Sequence, residues 1–221
     1  NKEFKKLFSI NDEQIFQYLD LIEKSDISNL HINKHIKNAK ENVVQSNDGI
    51  VYRLNKDKTA EIISYNNNNA KGDVFIPKCI EYKSIKYEIK KICEKAFVKS
   101  QITSISFSMD SSVSMIDNYA FSYSTIQKLF IPASLIELGQ YWSAHSNLRL
   151  IEIDLNNSHF FKEKDIIYYT NVSQDKSQLI NEIIFIPHNW QNQINISSKA
   201  TRIGSFAFQK CNLIQSINIE S

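Results

Sequence analysis

Ile203-Gly204-Ser205-Phe206-Ala207-Phe208 orders the rest of the chain because it recurs. Ile92-Cys93-Glu94-Lys95-Ala96-Phe97, Ile116-Asp117-Asn118-Tyr119-Ala120-Phe121 and Leu138-Gly139-Gln140-Tyr141-Trp142-Ser143 are its partial copies. From Ile92 to Ile116 is 24 residues, and from Ile116 to Leu138 is 22. After each string comes an apolar triplet spaced x, x+3, x+5: Ile102/Ile105/Phe107, Ile126/Leu129/Ile131, Leu148/Ile151/Ile153 and Ile214/Ile217/Ile219. The last two members of each triplet alternate with the period of a strand, and the first turns inward on the approach to it. Each repeat reads as one turn of a coil.

The columns of this alignment have a consistent chemistry. Ser100, Ser124, Ser146 and Cys211 share one column, where the chain must bend toward the strand and only a small side chain fits. Ala96, Ala120 and Ala207 mark a crowded position, and Phe97, Phe121 and Phe208 after them are expected to stack from coil to coil. Trp142-Ser143 breaks the pattern, and a local distortion is expected there. Three further strings, Val74-Phe75-Ile76-Pro77, Leu129-Phe130-Ile131-Pro132 and Ile184-Phe185-Ile186-Pro187, read as one repeating strand closed by a Pro that cannot donate to a ladder. A period of 22 to 24 residues falls within the span of roughly 20 to 29 typical of leucine-rich repeats.

The repeated strings resemble the BspA-like leucine-rich repeats, whose unit reads approximately I-G-x-x-A-F-x-x-C-x-x-L-x-x-I-x-I-P. Ile203 to Ile219 is the best copy, with Gly204, Ala207, Phe208, Cys211, Ile214, Ile217 and Ile219 in place, and Ile116 to Pro132 keeps all but the Gly and the Cys. The resemblance covers about residues 50 to 221. It implies a solenoid that binds other molecules, of a kind found in surface proteins of bacteria and mucosal protists. It is specific for fold and weak for function.

Two segments interrupt the period and look like each other. Gly49-Ile50-Val51-Tyr52 through Asp57-Lys58-Thr59-Ala60 to Pro77, and Asp165-Ile166-Ile167-Tyr168 through Asp175-Lys176-Ser177-Gln178 to Pro187, share strand, polar turn and strand, so each predicts an inserted β-hairpin. Residues 1–45 do not match the repeat. Asn11 with Gln14 has the spacing of a capping box, and Ile15, Leu19 and Ile22 share a helical face, which predicts a helix over about 12–24. The expected fold is mainly β with short helical turns: a leucine-rich-repeat solenoid over 46–221 with inserted hairpins, preceded over 1–45 by a small helical cap or the end of another domain.

Composition narrows the function classes. Lys+Arg 26 against Asp+Glu 24 leaves a net charge of +2, with basic residues scattered, so neither nucleic acid nor a membrane surface is the expected partner. No window approaches the roughly 20 apolar residues of a membrane span. The opening Asn1-Lys2-Glu3, without Met or an apolar leader, reads as a mature or excised fragment, and the ending on a repeat suggests a solenoid that continues. Cys79, Cys93 and Cys211 form no C-x-x-C pair and read as packing residues. His31 and His35 are four apart but lack a third ligand, while His145, His159 and His188 lie on separate coils. No metal, cofactor or catalytic constellation is indicated, and the chain is read as not an enzyme.

The candidate site is the outward face of the repeated strand. Between the last two inward positions lie Ser106, Phe130, Glu152 and Asn218, with Phe75 and Phe185 expected as their equivalents in the inserted strands. Two positions earlier stand Ser104, Lys128, Leu150 and Ser216. Phe130 beside Leu150, rimmed by Lys128 and Glu152, has the form of a contact hot spot, unless an inserted hairpin covers the rings. Asn156, Asn171 and Asn195 begin N-x-[ST] sequons and are candidate glycan acceptors. The expected function is a protein-binding or adhesion scaffold at the cell surface with a protein or glycoprotein partner. The alternative is an intracellular docking component of a larger assembly such as the cytoskeleton.

Overall fold

The computed structural model describes residues 42–66, 72–172 and 177–220. Contacts divide the chain after Val43, and the fold below is that of the second unit, Val44–Ser221. The helix expected over 12–24 and the pair His31 and His35 lie outside the described residues.

Among the described residues seventeen strands follow in order: β1 Val43–Gln45, β2 Ile50–Leu54, β3 Thr59–Tyr65, β4 Gly72–Ile76, β5 Cys79–Tyr82, β6 Ile85–Ile92, β7 Ile102–Phe107, β8 Met115–Ile116, β9 Lys128–Ile131, β10 Glu137–Leu138, β11 Leu150–Ile153, β12 Phe160–Glu163, β13 Ile166–Val172, β14 Leu179–Phe185, β15 Asn192–Ile196, β16 Arg202–Ile203 and β17 Ile214–Ile219. They form four sheets, ordered β1-β2-β3-β6-β8-β10 with β5 on β6, β11-β9-β7-β4, β12-β13-β14-β16, and β15-β17. The apolar triplets supply β7, β9, β11 and β17, and Ile92, Ile116, Leu138 and Ile203 end strands β6, β8, β10 and β16 on the other wall of the coil. These walls pair in parallel: Ile62 with Ile92, Ile92 with Ile116, Ile116 with Leu138, and separately Ile183 with Ile203. Parallel pairing follows from coiling, since every turn brings the same segment round in the same direction.

Between the walls the chain makes a tight six-residue turn, and here the structure corrects the sequence expectation. Among the described residues there is no helix, and the bends expected as short helical turns are of another kind. Lys95 and Lys99, Tyr119 and Tyr123, Tyr141 and His145, and Phe206 and Lys210 all adopt positive φ between 55° and 64°. A left-handed residue every fourth position breaks a right-handed helix and costs roughly 1–2 kcal/mol each. The return is a double ladder. Ala96, Val98 and Ser100 donate their N–H three residues back, to Cys93, Lys95 and Phe97, while Lys95, Phe97 and Lys99 donate across to Asn118, Ala120 and Ser122 of the next coil. Tyr119, Phe121 and Tyr123 repeat this toward Gln140, Trp142 and Ala144.

The core follows the columns. Tyr65, Phe97 and Phe121 lie in file with ring centroids 5.4 and 5.5 Å apart, and Ala96 and Ala120 are buried in the same core, whereas Ala207 and Phe208 pack in a second core and the expected stacking does not extend to Phe208. Ser124 and Ser146 are buried at the bend, where the Ser124 hydroxyl donates to the Phe121 carbonyl at 2.7 Å. Cys211 occupies the same place, half-buried, its Sγ 3.6 Å from the Ile186 carbonyl. At Trp142-Ser143 the backbone is regular and the expected distortion does not occur. Trp142 stands in the Ala column, yet its ring reaches Phe121 edge-on at 6.4 Å and fills the place that Ser143 leaves vacant. The room exists because the chain departs after β11 into the inserted strands instead of forming another such coil at once.

That departure builds a wall with two buried faces. Ile167, Tyr169, Ile184 and Phe185 join the core of the first coils, while Ile166, Tyr168, Ile183 and Ile186 join a second core with Ile194, Ile196 and Ala207. Both expected hairpins are present as β2–β3 and β13–β14. Two more, β5–β6 and β12–β13, turn through Lys83-Ser84 and Lys164-Asp165, each with both residues at positive φ. The expected equivalence of Phe185 with Phe75 is corrected. β14 pairs with β16 as β3 pairs with β6, so β14 corresponds to β3, and the counterpart of β4 is β15, which pairs with β17 as β4 pairs with β7.

Candidate functional site

Coiling aligns the outward residues of β4, β7, β9 and β11 into rows. One row runs Asp73, Ser104, Lys128, Leu150 in successive register pairs. In the next, Phe75 faces Ser106, and Phe130 faces Glu152. Six of the eight residues named from the sequence therefore share one sheet face: Ser104, Ser106, Lys128, Phe130, Leu150 and Glu152. Ser216 and Asn218 stand on the separate two-stranded sheet, opposite Gln193 and Asn195.

The face has an apolar part and a polar part. Phe75 is 55% exposed and Leu150 42% exposed, whereas Phe130 is half-buried and packs against the core. Ser106 stands on β7, the strand between those that carry Phe75 and Phe130. Lys128 bridges to Glu152 at 3.0 Å. Asp73, absent from the sequence-based set, accepts hydrogen bonds from the hydroxyls of Ser104 at 2.7 Å and Thr103 at 2.8 Å. Those bonds, helped by Lys128, hold its carboxyl below the ordinary Asp range. Asp73 was legible in principle: it lies two residues before Phe75, as Lys128 does before Phe130.

Other singled-out residues fall elsewhere. Asn156, Asn171 and Asn195 are all exposed. Burial pushes the Cys93 thiol up to about 12 and the Cys211 thiol up to about 11, so neither is a thiolate nucleophile at neutral pH. His145 stacks on Tyr123 at 4.8 Å and meets Phe206 edge-on at 5.0 Å, while His188 lies 6.0 Å from Phe185. The two histidines, on separate coils in sequence, both come within the influence of Lys210.

These features define a parallel β-solenoid of leucine-rich-repeat type. The profile described as BspA type leucine rich repeat region matches residues 68–186 and 157–221 with 6 copies, and the chain belongs to that family. No curated protein matches the chain. Among solved structures it is similar to the pneumococcal vaccine antigen PcpA, at 14% identity and TM-score 0.45 over 81% of this chain and 64% of that one. It is also similar to a leucine rich cell surface protein of Faecalibacterium prausnitzii, at 13% identity and TM-score 0.36 over 80% of this chain and 76% of that one. A leucine-rich repeat protein of Bacteroides capillosus matches at 20% identity and TM-score 0.36 over 52% of this chain and 99% of that one. The chain spans less than two thirds of the PcpA chain.

Proposed function

We propose that this solenoid is a non-catalytic protein-binding scaffold, an adhesion or recognition module of a cell surface, and that it engages a protein or glycoprotein through the face of β4, β7, β9 and β11. The observation that carries the reading is the alignment of exposed Phe75 and Leu150 with half-buried Phe130 across four parallel strands, edged by the Lys128–Glu152 pair. Exposed apolar groups ringed by charge are the usual make-up of a contact centre, and parallel strands hold them in place before a partner arrives. The BspA-like repeats, found in surface proteins, support the surface setting.

The test compares the chain with its Phe75→Ser/Leu150→Ser variant as bait for a cell-surface and extracellular fraction and, separately, a cytoskeletal fraction. Both residues are exposed, so the variant is expected to fold. A surface partner captured by the parent chain and lost by the variant supports the reading. Equal capture by both excludes this face, and capture from the cytoskeletal fraction alone replaces the surface module with an internal docking component.

A further inference from the structure

The junction between the first coils and the last one carries a second site. Among the described residues no backbone hydrogen bond joins turn 141–146 to turn 205–210, which reaches across to it with side chains, the Phe206 ring lying 5.8 Å from Tyr141 and 5.0 Å from His145. Gln209 accepts from the His145 N–H and donates from Nε2 to the Ser146 carbonyl at 2.8 Å, and Lys210 Nζ donates to Asn147 Oδ1. The Ile186 N–H donates to the Ala207 carbonyl at 3.0 Å, which brings the segment carrying His188 alongside the same turn. Arg149 follows Asn147 by two residues. Four groups able to carry positive charge, His145, Arg149, His188 and Lys210, therefore gather where the two arrays meet.

The neighbourhood contains little to neutralise them. The stretches 118–136, 138–151 and 183–219 contain no Asp or Glu in a chain with 24 of them. The other cations of the last stretch are engaged, Lys199 with Glu163 at 3.2 Å and Arg202 with Glu182 at 2.8 Å. Among the described residues neither Arg149 nor Lys210 forms an ion pair. Burial, then Lys210 and, for His188, Arg149, hold both histidines below their ordinary pKa, as expected for a positive field without a counter-charge.

The flank of the cluster suits a sugar. Residues 188–193 read His-Asn-Trp-Gln-Asn-Gln, with Asn189, Gln191, Asn192 and Gln193 exposed and Trp190 half-buried, its indole N–H donating to the Gln193 carbonyl at 3.2 Å. Amide side chains both donate and accept, as ring hydroxyls require, and an indole offers an apolar surface to sugar C–H groups. A nucleic acid would call for a longer track of cations along its phosphates. We propose that this junction binds a sulfated glycan, with Arg149 and Lys210 on a sulfate ester and the Asn189–Gln193 segment on the adjoining sugar.

Isothermal titration of the whole chain with a heparin-derived hexasaccharide, its desulfated counterpart, a phosphoserine peptide and inorganic phosphate tests this, with the variants Arg149→Ala/Lys210→Ala and Lys83→Ala/Lys86→Ala. Both variants remove two exposed charges, so they are matched in net charge, and their melting temperatures report folding. The expected result is binding of the sulfated hexasaccharide alone, weakened about tenfold or more by the first variant and less than about twofold by the second. Equal weakening by both variants would show charge attraction without a site. No glycan binding, equal binding of the desulfated sugar, or preference for the phosphopeptide overturns the assignment.

Discussion

Phe75 and Phe185 stand in almost the same sequence words, Val74-Phe75-Ile76-Pro77 and Ile184-Phe185-Ile186-Pro187, yet Phe75 is 55% exposed and Phe185 is 6% exposed. The string itself cannot account for this. Asp73 precedes the first, and β4 alternates exposed and buried positions, so it keeps one wet face on which Asp73 and Phe75 stand. Ile183 precedes the second, and Ile183 to Ile186 is a continuous apolar run, the pattern of a strand buried on both sides. The hairpin β13–β14 is a partition between two cores, whereas β4 is an outer wall of one. A local motif tells where a strand ends, and the residues around it tell how many of its faces are dry.

The largest expected effect would break this comparison. Phe185→Ser should destabilise the fold on the order of 3–5 kcal/mol in urea denaturation, as removal of a fully packed ring does. Phe75→Ser should stay within about 0.5 kcal/mol. Equal losses would mean that the two strands are equivalent after all. Trp142→Ala should come next, at about 3 kcal/mol, and adding Ser143→Phe should restore most of it, because the ring would return to the column held by Phe97 and Phe121. Failure of that rescue in thermal unfolding would show that Trp142 serves something other than the ring file.

Gly204→Ala should cost about 1–3 kcal/mol, since a Cβ there would lie 2.8 Å from the Ile183 carbonyl oxygen on the partition strand. The smallest effect is in pH. His145 and His188 prefer the neutral form when folded, so the unfolded chain binds protons first as pH falls. The stability they contribute is complete above the unfolded His value of about 6.5 and declines below it. NMR titration of the two imidazoles should give midpoints below 6.5, and midpoints above it would remove the positive field inferred at the junction.

The coil period, the columns of Ala and Ser, the file of Phe97 and Phe121, and the hairpins β2–β3 and β13–β14 were legible, because each rests on spacing that the backbone repeats, while Phe208, expected in that file, packs in the second core. The hairpins β5–β6 and β12–β13 were not. Their turns, Lys83-Ser84 and Lys164-Asp165, use residues that carry no left-handed signature such as Asn-Gly. The turns taken for helical ones escaped for the same reason, since Lys95, Lys99, Tyr119 and Tyr123 at positive φ are held there by cross-coil hydrogen bonds and not by local preference. Of the outward face, Ser104 through Glu152 could be written down from the triplets, while Ser216 and Asn218 were assigned to the same face without a way to know that an insertion separates the sheets.

The sequence by itself determined that this chain coils, which residues of the first three triplets face inward, and which family it belongs to, because a repeated spacing leaves one way to bury a repeated apolar face; Ile219 of the fourth triplet, also expected inward, is 57% exposed. Only the tertiary structure decided that β13–β14 divides two cores and that His145, Arg149, His188 and Lys210 meet at one junction. Those outcomes depend on how one coil packs against another across an insertion, and packing between distant segments leaves no periodic trace in the chain.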